Sequence, residues 1–156
     1  MLRISKLTDY GTMVLAQLSS GARGLASAGQ VAQATHLAAP TVSKLLKSLA
    51  KAGLVVSERG ALGGYSLARA PEQISAAEII DALEGPVAIT ECSAAGGACD
   101  LEAHCRVGRA WQNINLNIRA ALQDISLADL QHSPQPMRVP DLKSGVSTAR
   151  SELGGN

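Results

Sequence analysis

Apolar residues fall at Leu7, Tyr10, Val14, Leu15 and Leu18, a stripe along one side of a helix, so the chain is expected to open with one. Ser5 offers an N-cap hydroxyl, and Gly21 and Gly24 mark the stop. A short second helix is expected from about Ser27 to Thr35, with Val31 and Ala34 inward. Pro40 stands where a proline can open a helix, and Val42, Leu45, Leu46 and Leu49 then follow at helical spacing until Gly53. The period changes at Leu54-Val55-Val56-Ser57, a strand-favouring run. Arg59 to Gly64 supplies turn residues, and Tyr65-Ser66-Leu67 alternates like a returning strand. Ser75 and Glu78 form a capping box, with Ile74 and Ile79 as its hydrophobic staple, and open a fourth helix through Ile80 and Leu83. Residues 87–105 are irregular. Val107, Trp111, Ile114, Ile118 and Leu122 then recur as the seam of a long helix, and Ser126 caps a short last one through Leu130.

Two helices joined by a short turn, the second amphipathic and basic on its outer face, followed by a hairpin, describe a winged helix-turn-helix. An ordinary hairpin packed on helices is the other reading of the β segment, and the third helix beside it weighs against that. The expected fold is mainly α with a small β-hairpin, a winged helix-turn-helix plus a long dimerisation helix. Its expected division is a DNA-binding region over 1–85, a cysteine loop over 86–106, the long and short final helices over 107–131, and a tail over 132–156 whose Pro, Ser and Gly content predicts disorder. The Val107-to-Leu122 seam is too apolar to face water, so a second copy of the chain is expected to cover it.

Composition removes several classes. Only two Tyr and one Trp are present and no Phe, too few stacking platforms for an RNA-recognition or single-strand-binding module. No apolar run approaches the roughly 18 residues of a membrane span, and Lys6 and Asp9 interrupt any signal-peptide core. A cytoplasmic protein without a membrane partner is expected. The formal net charge of +1 conceals an asymmetry: residues 1–60 hold seven bases against two acids, residues 61–131 four bases against nine acids. A basic N-terminal part points to a polyanion, here double-stranded DNA. Thr41, Ser43, Lys44, Lys47 and Ser48 lie opposite the leucines of the third helix, where hydroxyls and lysines can reach base edges or phosphates. A solvated face would account for two lysines alone; the short preceding helix and the wing favour DNA. Arg59 in the wing is expected at the minor groove, with Arg3 and Lys6 adding to the basic face. A dimer would read a pseudo-palindromic operator with half-sites about one helical turn apart.

Cys92, Cys99 and Cys105 are the only cysteines, an odd number in a glycine-rich loop, which disfavours a disulfide framework in a reducing compartment. Closely spaced thiolates suit a soft metal centre. Zinc knuckles use shorter spacings, so the wider C-x6-C-x5-C pattern fits an iron–sulfur cluster better than one ion. Zinc and three uncoordinated thiols are the remaining readings.

Together these segments resemble the Rrf2 family of winged-helix repressors, which includes IscR, NsrR and RirA. The resemblance rests on the opening Met1 to Tyr10, the helix-turn-helix, the Gly60-to-Tyr65 wing, the Ile74-to-Ile80 helix and the three-cysteine loop. It covers about residues 1–131 and is greatest to the branch regulating the sulfur-mobilisation system of cluster assembly. The resemblance implies a homodimer formed through the long helix, a 2Fe–2S or 4Fe–4S cluster on Cys92, Cys99 and Cys105, and gene regulation gated by that cluster. IscR-type members complete the ligand set with a histidine three residues after the third cysteine. Here that position is Gly108, so the ligand does not carry over. Asp9 matches the position from which NsrR-like members donate a carboxylate across the dimer and is the expected fourth ligand, with His104 as the alternative. As an ordinary first-turn residue Asp9 would contribute roughly 0.3–1 kcal/mol through the helix dipole.

The expected function is a cluster-sensing transcriptional regulator, acting as a repressor of iron–sulfur assembly genes. An iron–sulfur carrier with a basic face and a zinc-stabilised adaptor are the alternatives. No nucleophile–base pair, phosphate loop or paired carboxylates form a recognisable catalytic motif, so an enzyme is not expected.

Overall fold

Helix α1 (Lys6–Ser20) is capped by the Ser5 hydroxyl, which accepts from the Leu7 N–H at 3.2 Å. The computed structural model describes residues 4–21, 24–93 and 105–132. Thr8, Gly11, Val14, Leu15 and Leu18 turn inward, so Leu7 is left out of the core at 37% exposure. The fourth helix decides this. Leu83 packs against Gly11 so closely that a Cβ would collide with it, and Thr8 donates to the Glu84 carboxylate.

Helix α2 (Ala28–Thr35) opens with a capping box between Ser27 and Gln30. Val31 is buried as expected, but Ala34 is exposed, and Ala32 and Thr35 take the inward places. Residues one and four apart share one arc of a short helix, and position 34 falls outside the arc that α1 and α3 cover. The chain turns into α3 (Ala39–Lys51) through His36, held at φ 56°. All four residues of the α3 stripe, Val42, Leu45, Leu46 and Leu49, are at most 1% exposed, and each such burial is worth roughly 1.5–3 kcal/mol. A Schellman motif ends the helix: Gly53 N–H donates to Ala50 C=O at 3.1 Å and Leu54 N–H to Leu49 C=O at 3.0 Å. Gly53 sits at φ 75°, a conformation that favours glycine.

Strands β1 (Val55–Glu58) and β2 (Gly64–Leu67) pair antiparallel, Val55 opposite Leu67 and Glu58 opposite Gly64. Ala26 adds a rung, exchanging both backbone hydrogen bonds with Tyr65 at 2.8 and 3.0 Å. Residue 64 is glycine because a Cβ there would stand 2.8 Å from the Ala26 carbonyl oxygen.

Helix α4 (Ala76–Glu84) carries the expected Ser75–Glu78 capping box, and the staple residues Ile74 and Ile79 are fully buried. Its start is bridged to the last helix, α6 (Leu127–His132): Ala76 N–H donates to Ile125 C=O at 2.8 Å and Leu127 N–H to Ile74 C=O at 2.7 Å. Leu127 thereby joins Val14, Leu15, Leu46 and Ile79 in the core. Helix α5 (Gly108–Gln123) packs on α4 and contributes no side chain to that core. Among the described residues the architecture is mostly helical with one two-stranded hairpin, as the sequence pattern leads one to expect.

Candidate DNA face and cysteine segment

Along α3, Lys44 and Lys47 are exposed, and Thr41, Ser43 and Ser48 are half-buried. No side chain caps the α3 N-terminus, where Ala38 occupies the cap position. Arg59 is exposed where the hairpin turn begins, and Leu62 at its tip is 92% exposed. Gly60 at φ 125° and Gly63, whose Cβ would collide with the Glu58 carbonyl, hold that tip in shape. Lys6 is exposed in the first turn of α1; Arg3 lies outside the described residues.

Cys92 lies in a single helical turn, Glu91–Ser93, and Cys105 just ahead of α5; both are half-buried free thiols. Cys99, His104 and the chain beyond His132 lie outside the described residues. The first turns of α5 gather the two described cysteines. Gln112 Nε2 donates to the Cys92 carbonyl at 3.0 Å, and the Cys105 Sγ packs on buried Gly108, 3.5 Å from where a Cβ would stand. The position of the IscR-type histidine is thus a glycine pressed against Cys105, with no side chain to donate. Among the described residues no three potential metal ligands converge.

Sequence reasoning missed the polar side by which α5 packs on its own chain; the apolar seam that it left for a second copy is largely exposed here. Val107, Trp111 and Ile114 are 58%, 43% and 44% exposed, and only Ile118 and Leu122 are half-buried. The helix instead faces its own chain with Gly108, Gln112, Asn115 and Arg119. Asn115 is 6% exposed, accepts from the Ile89 N–H at 3.2 Å and donates to the Val87 carbonyl at 3.1 Å. Arg119 grips Asp81 of α4 with two N–H···O contacts of 3.0 and 2.5 Å, which raise the guanidinium's affinity for its proton. The signal was present as a second stripe at helical spacing. It is polar, however, and a polar stripe reads as a solvent face.

Asp9 is exposed in the first turn of α1, at the lip of a groove of about 630 Å³ lined by Ile4, Met13, Ile80, Leu122 and Leu130. Beside it the Glu84 carboxylate accepts from the Thr8 hydroxyl and, at 3.0 Å, from the Ser5 N–H. The Thr8 bond is the main cause holding the Glu84 carboxyl below the ordinary carboxylate range; burial pushes the other way, and Ser5 adds to the lowering.

Residues 4–133 match the model of the Rrf2 family, iron-dependent transcriptional regulators. The chain belongs to the Rrf2 family. It is 30% identical to the rrf2 protein of Nitratidesulfovibrio vulgaris over 130 residues, 83% of this chain and 87% of that protein. Its fold is similar to that of CymR, the global cysteine regulator of B. subtilis, with 31% identity and a TM-score of 0.64 over 86% of this chain and all of that one. The IscR of T. potens aligns with a TM-score of 0.61 and 30% identity over 86% of this chain and 94% of its own. The protein is therefore a winged-helix transcriptional regulator of a DNA-binding family, not an enzyme, and that membership replaces the carrier and adaptor readings. Among the described residues no helix is long and apolar enough to cross a membrane.

The Glu84 interaction carries a pH signature. Folding favours the ionised carboxylate, so its stabilisation is complete above the ordinary value of 4.5 and is lost as pH falls through the lower folded value. Glu84→Gln should unfold at lower urea than wild type at pH 7, and the gap should narrow as pH falls below 4.5. A gap of constant size across that range would show that the charge is not its source.

Proposed function

We propose that the chain is a homodimeric repressor that binds double-stranded DNA in the cytoplasm and senses an iron–sulfur cluster held by Cys92, Cys99 and Cys105, controlling genes of cluster assembly. The observation that carries this reading is the two-sided α5. Gln112 and Gly108 in its first turns hold Cys92 and Cys105, while Val107, Trp111 and Ile114 on its apolar side stand exposed. A metal-responsive segment and an unfilled seam thus share one helix. The donor set fits a cluster, since half-buried free thiols at the start of α5 are soft ligands that iron and sulfide can bridge. Bound there, the cluster would supply an occupancy that changes with iron, oxygen or other oxidants.

The fourth ligand is Asp9, with His104 as its competitor. Asp9 shares its groove with Leu122, at the opposite end of α5 from Cys105, so it serves a second copy rather than its own. A carboxylate is harder than a thiolate, which makes this corner the labile one. On the DNA side, Lys44, Lys47, Arg59, Arg3 and Lys6 supply charge, and Thr41, Ser43 and Ser48 line the face of α3 that enters the major groove.

Three measurements test the parts. Lys44→Ala and Lys47→Ala should each weaken binding to a duplex selected from random sequence. A lysine that neutralises one phosphate should, once replaced, flatten the logarithmic salt slope by about 0.9. Variants that bind as tightly as wild type would remove α3 as the reading helix. Ile114→Asp places a charge in the seam and should sediment as a monomer with much weaker operator affinity; a stable dimer would move the interface elsewhere. After anaerobic reconstitution, alanine at Cys92, Cys99 or Cys105 should abolish or destabilise the cluster. Asp9→Ala should shift the spectrum and speed cluster breakdown in oxygen, whereas His104→Ala should not. The reverse pattern hands the role to His104, and zinc in place of iron and sulfide ends the cluster reading.

A further inference from the structure

We infer that the inward polar stripe of α5 couples the cysteine segment to the DNA-binding helices, with Gln112 and Asn115 as positioning residues for Cys92 and the Arg119–Asp81 pair as the joint to α4. The inference deepens the cluster-sensing reading and rests on it for its second half.

Cys92 is held in register from three directions. Thr90 and Ser93 close the turn around it: their hydroxyls lie 2.7 Å apart, Ser93 N–H donates to Thr90 C=O at 2.9 Å, and the Thr90 hydroxyl lies 3.2 Å from the Cys92 Sγ. Gln112 fixes the Cys92 carbonyl at 3.0 Å. One turn further along α5, buried Asn115 uses its acceptor on Ile89 and its donor on Val87, so it straps the irregular segment leading into Cys92 to the same helix. Among the described residues, neither of those backbone groups makes a backbone hydrogen bond. Sliding the segment along α5 would leave donors and acceptors unpaired on both sides, a cost that apolar packing would not impose.

The next residue of the stripe leads away from the cysteines. Arg119 makes a two-point contact with Asp81, which fixes the rotation of α5 against α4 as well as its distance. Three residues on, Glu84 ends α4 and accepts from Ser5 and Thr8 at the start of α1. Helix α4 also packs on α3, the helix that presents Lys44 and Lys47. Directional contacts therefore run from Cys92 through α5 and α4 to α1, and apolar packing in the core joins α4 to α3. A reordering of the cysteine segment would be passed on as a shift of a rigid element rather than absorbed in a soft contact.

The test uses the full chain. In cluster-free protein, Gln112→Ala and Asn115→Ala should raise the alkylation rate of the Cys92 thiol severalfold, leaving the Cys105 rate, helix content and dimer mass as in wild type. Asn115→Asp, which keeps the acceptor for Ile89, should fall between; it stands in if Asn115→Ala folds poorly. Unchanged Cys92 labelling in these variants overturns the positioning role, whatever the cluster does. For the joint, Arg119→Gln and Asp81→Asn should keep wild-type iron and sulfide content and cluster-free DNA affinity. The ratio of cluster-loaded to cluster-free affinity should shrink toward one. A full wild-type ratio in both variants overturns the coupling, and an equal fall of both affinities shows a structural role only. A ratio of one in wild type itself sinks the sensing function and the coupling with it, while the labelling still decides how Cys92 is held.

Discussion

A helix that packs on its own chain with two amides and a guanidinium, and turns tryptophan and isoleucine outward, needs an apolar cover. Helix α5 is such a helix, and most of what distinguishes this molecule from a bare winged helix depends on that inversion. Val107, Trp111 and Ile114 are each about half exposed, so covering them returns roughly 1 kcal/mol per side chain. A two-fold dimer counts each contribution twice, because the same stripe meets itself. The polar side has the opposite character: its energy is modest, but its geometry is specific. Apolar burial on one side would supply the affinity for the proposed second copy, and hydrogen bonds on the other hold Val87, Ile89 and Cys92 in place.

The DNA-binding half is set from within. The α3 stripe is wholly buried among α1, α4 and the first residues after Gly53, so the angle at which Lys44 and Lys47 leave the surface follows from core packing. The wing is tied to the same unit twice, by the Schellman turn that sends Leu54 into the core and by the Ala26–Tyr65 rung. Close approach does the rest. Glycine at 11 lets α4 lie against α1, and glycine at 64 lets the rung form. Under the proposed DNA contacts, rigid placement of α3 and the wing would set how base-contacting side chains are presented.

Elements whose cause is local were legible in the sequence. Ser5, Ser27 and Ser75 cap the helices they were expected to open, and the α3 stripe, the Gly53 stop and the hairpin all stand where the pattern puts them. Errors arose where a neighbouring helix chooses the buried face. Ala34 and Leu7 are apolar and well spaced, but α4 selects Thr8 and Gly11, and the short α2 offers Ala32 and Thr35 instead. The polar stripe of α5 was illegible for a related reason. Hydropathy cannot tell an asparagine that straps a loop from one that faces water, and Asn113, Asn115 and Asn117 differ only in where α4 and the Val87 segment lie. The Asp9 and Gly108 assignments came from resemblance, since nothing in periodicity singles out either residue.

The length of α5 constrains how the proposed ligand set could be assembled. Gly108, against which Cys105 packs, and Leu122, which shares a groove with Asp9, are separated by about 21 Å at 1.5 Å per residue. No side-chain motion closes that gap within one chain. If two α5 helices pair antiparallel along the bare stripe, the Leu122 end of one lies beside the Gly108 end of the other. The exposed Asp9 of one copy then comes to the cysteines of its partner. Under that arrangement the dimer seam is a condition for completing the cluster, and the carboxylate corner reports on α1, the helix that Glu84 ties to α4. Signal and symmetry then coincide. Loss of the cluster would release both copies of α1 together, and a regulator reading two half-sites needs both to change at once.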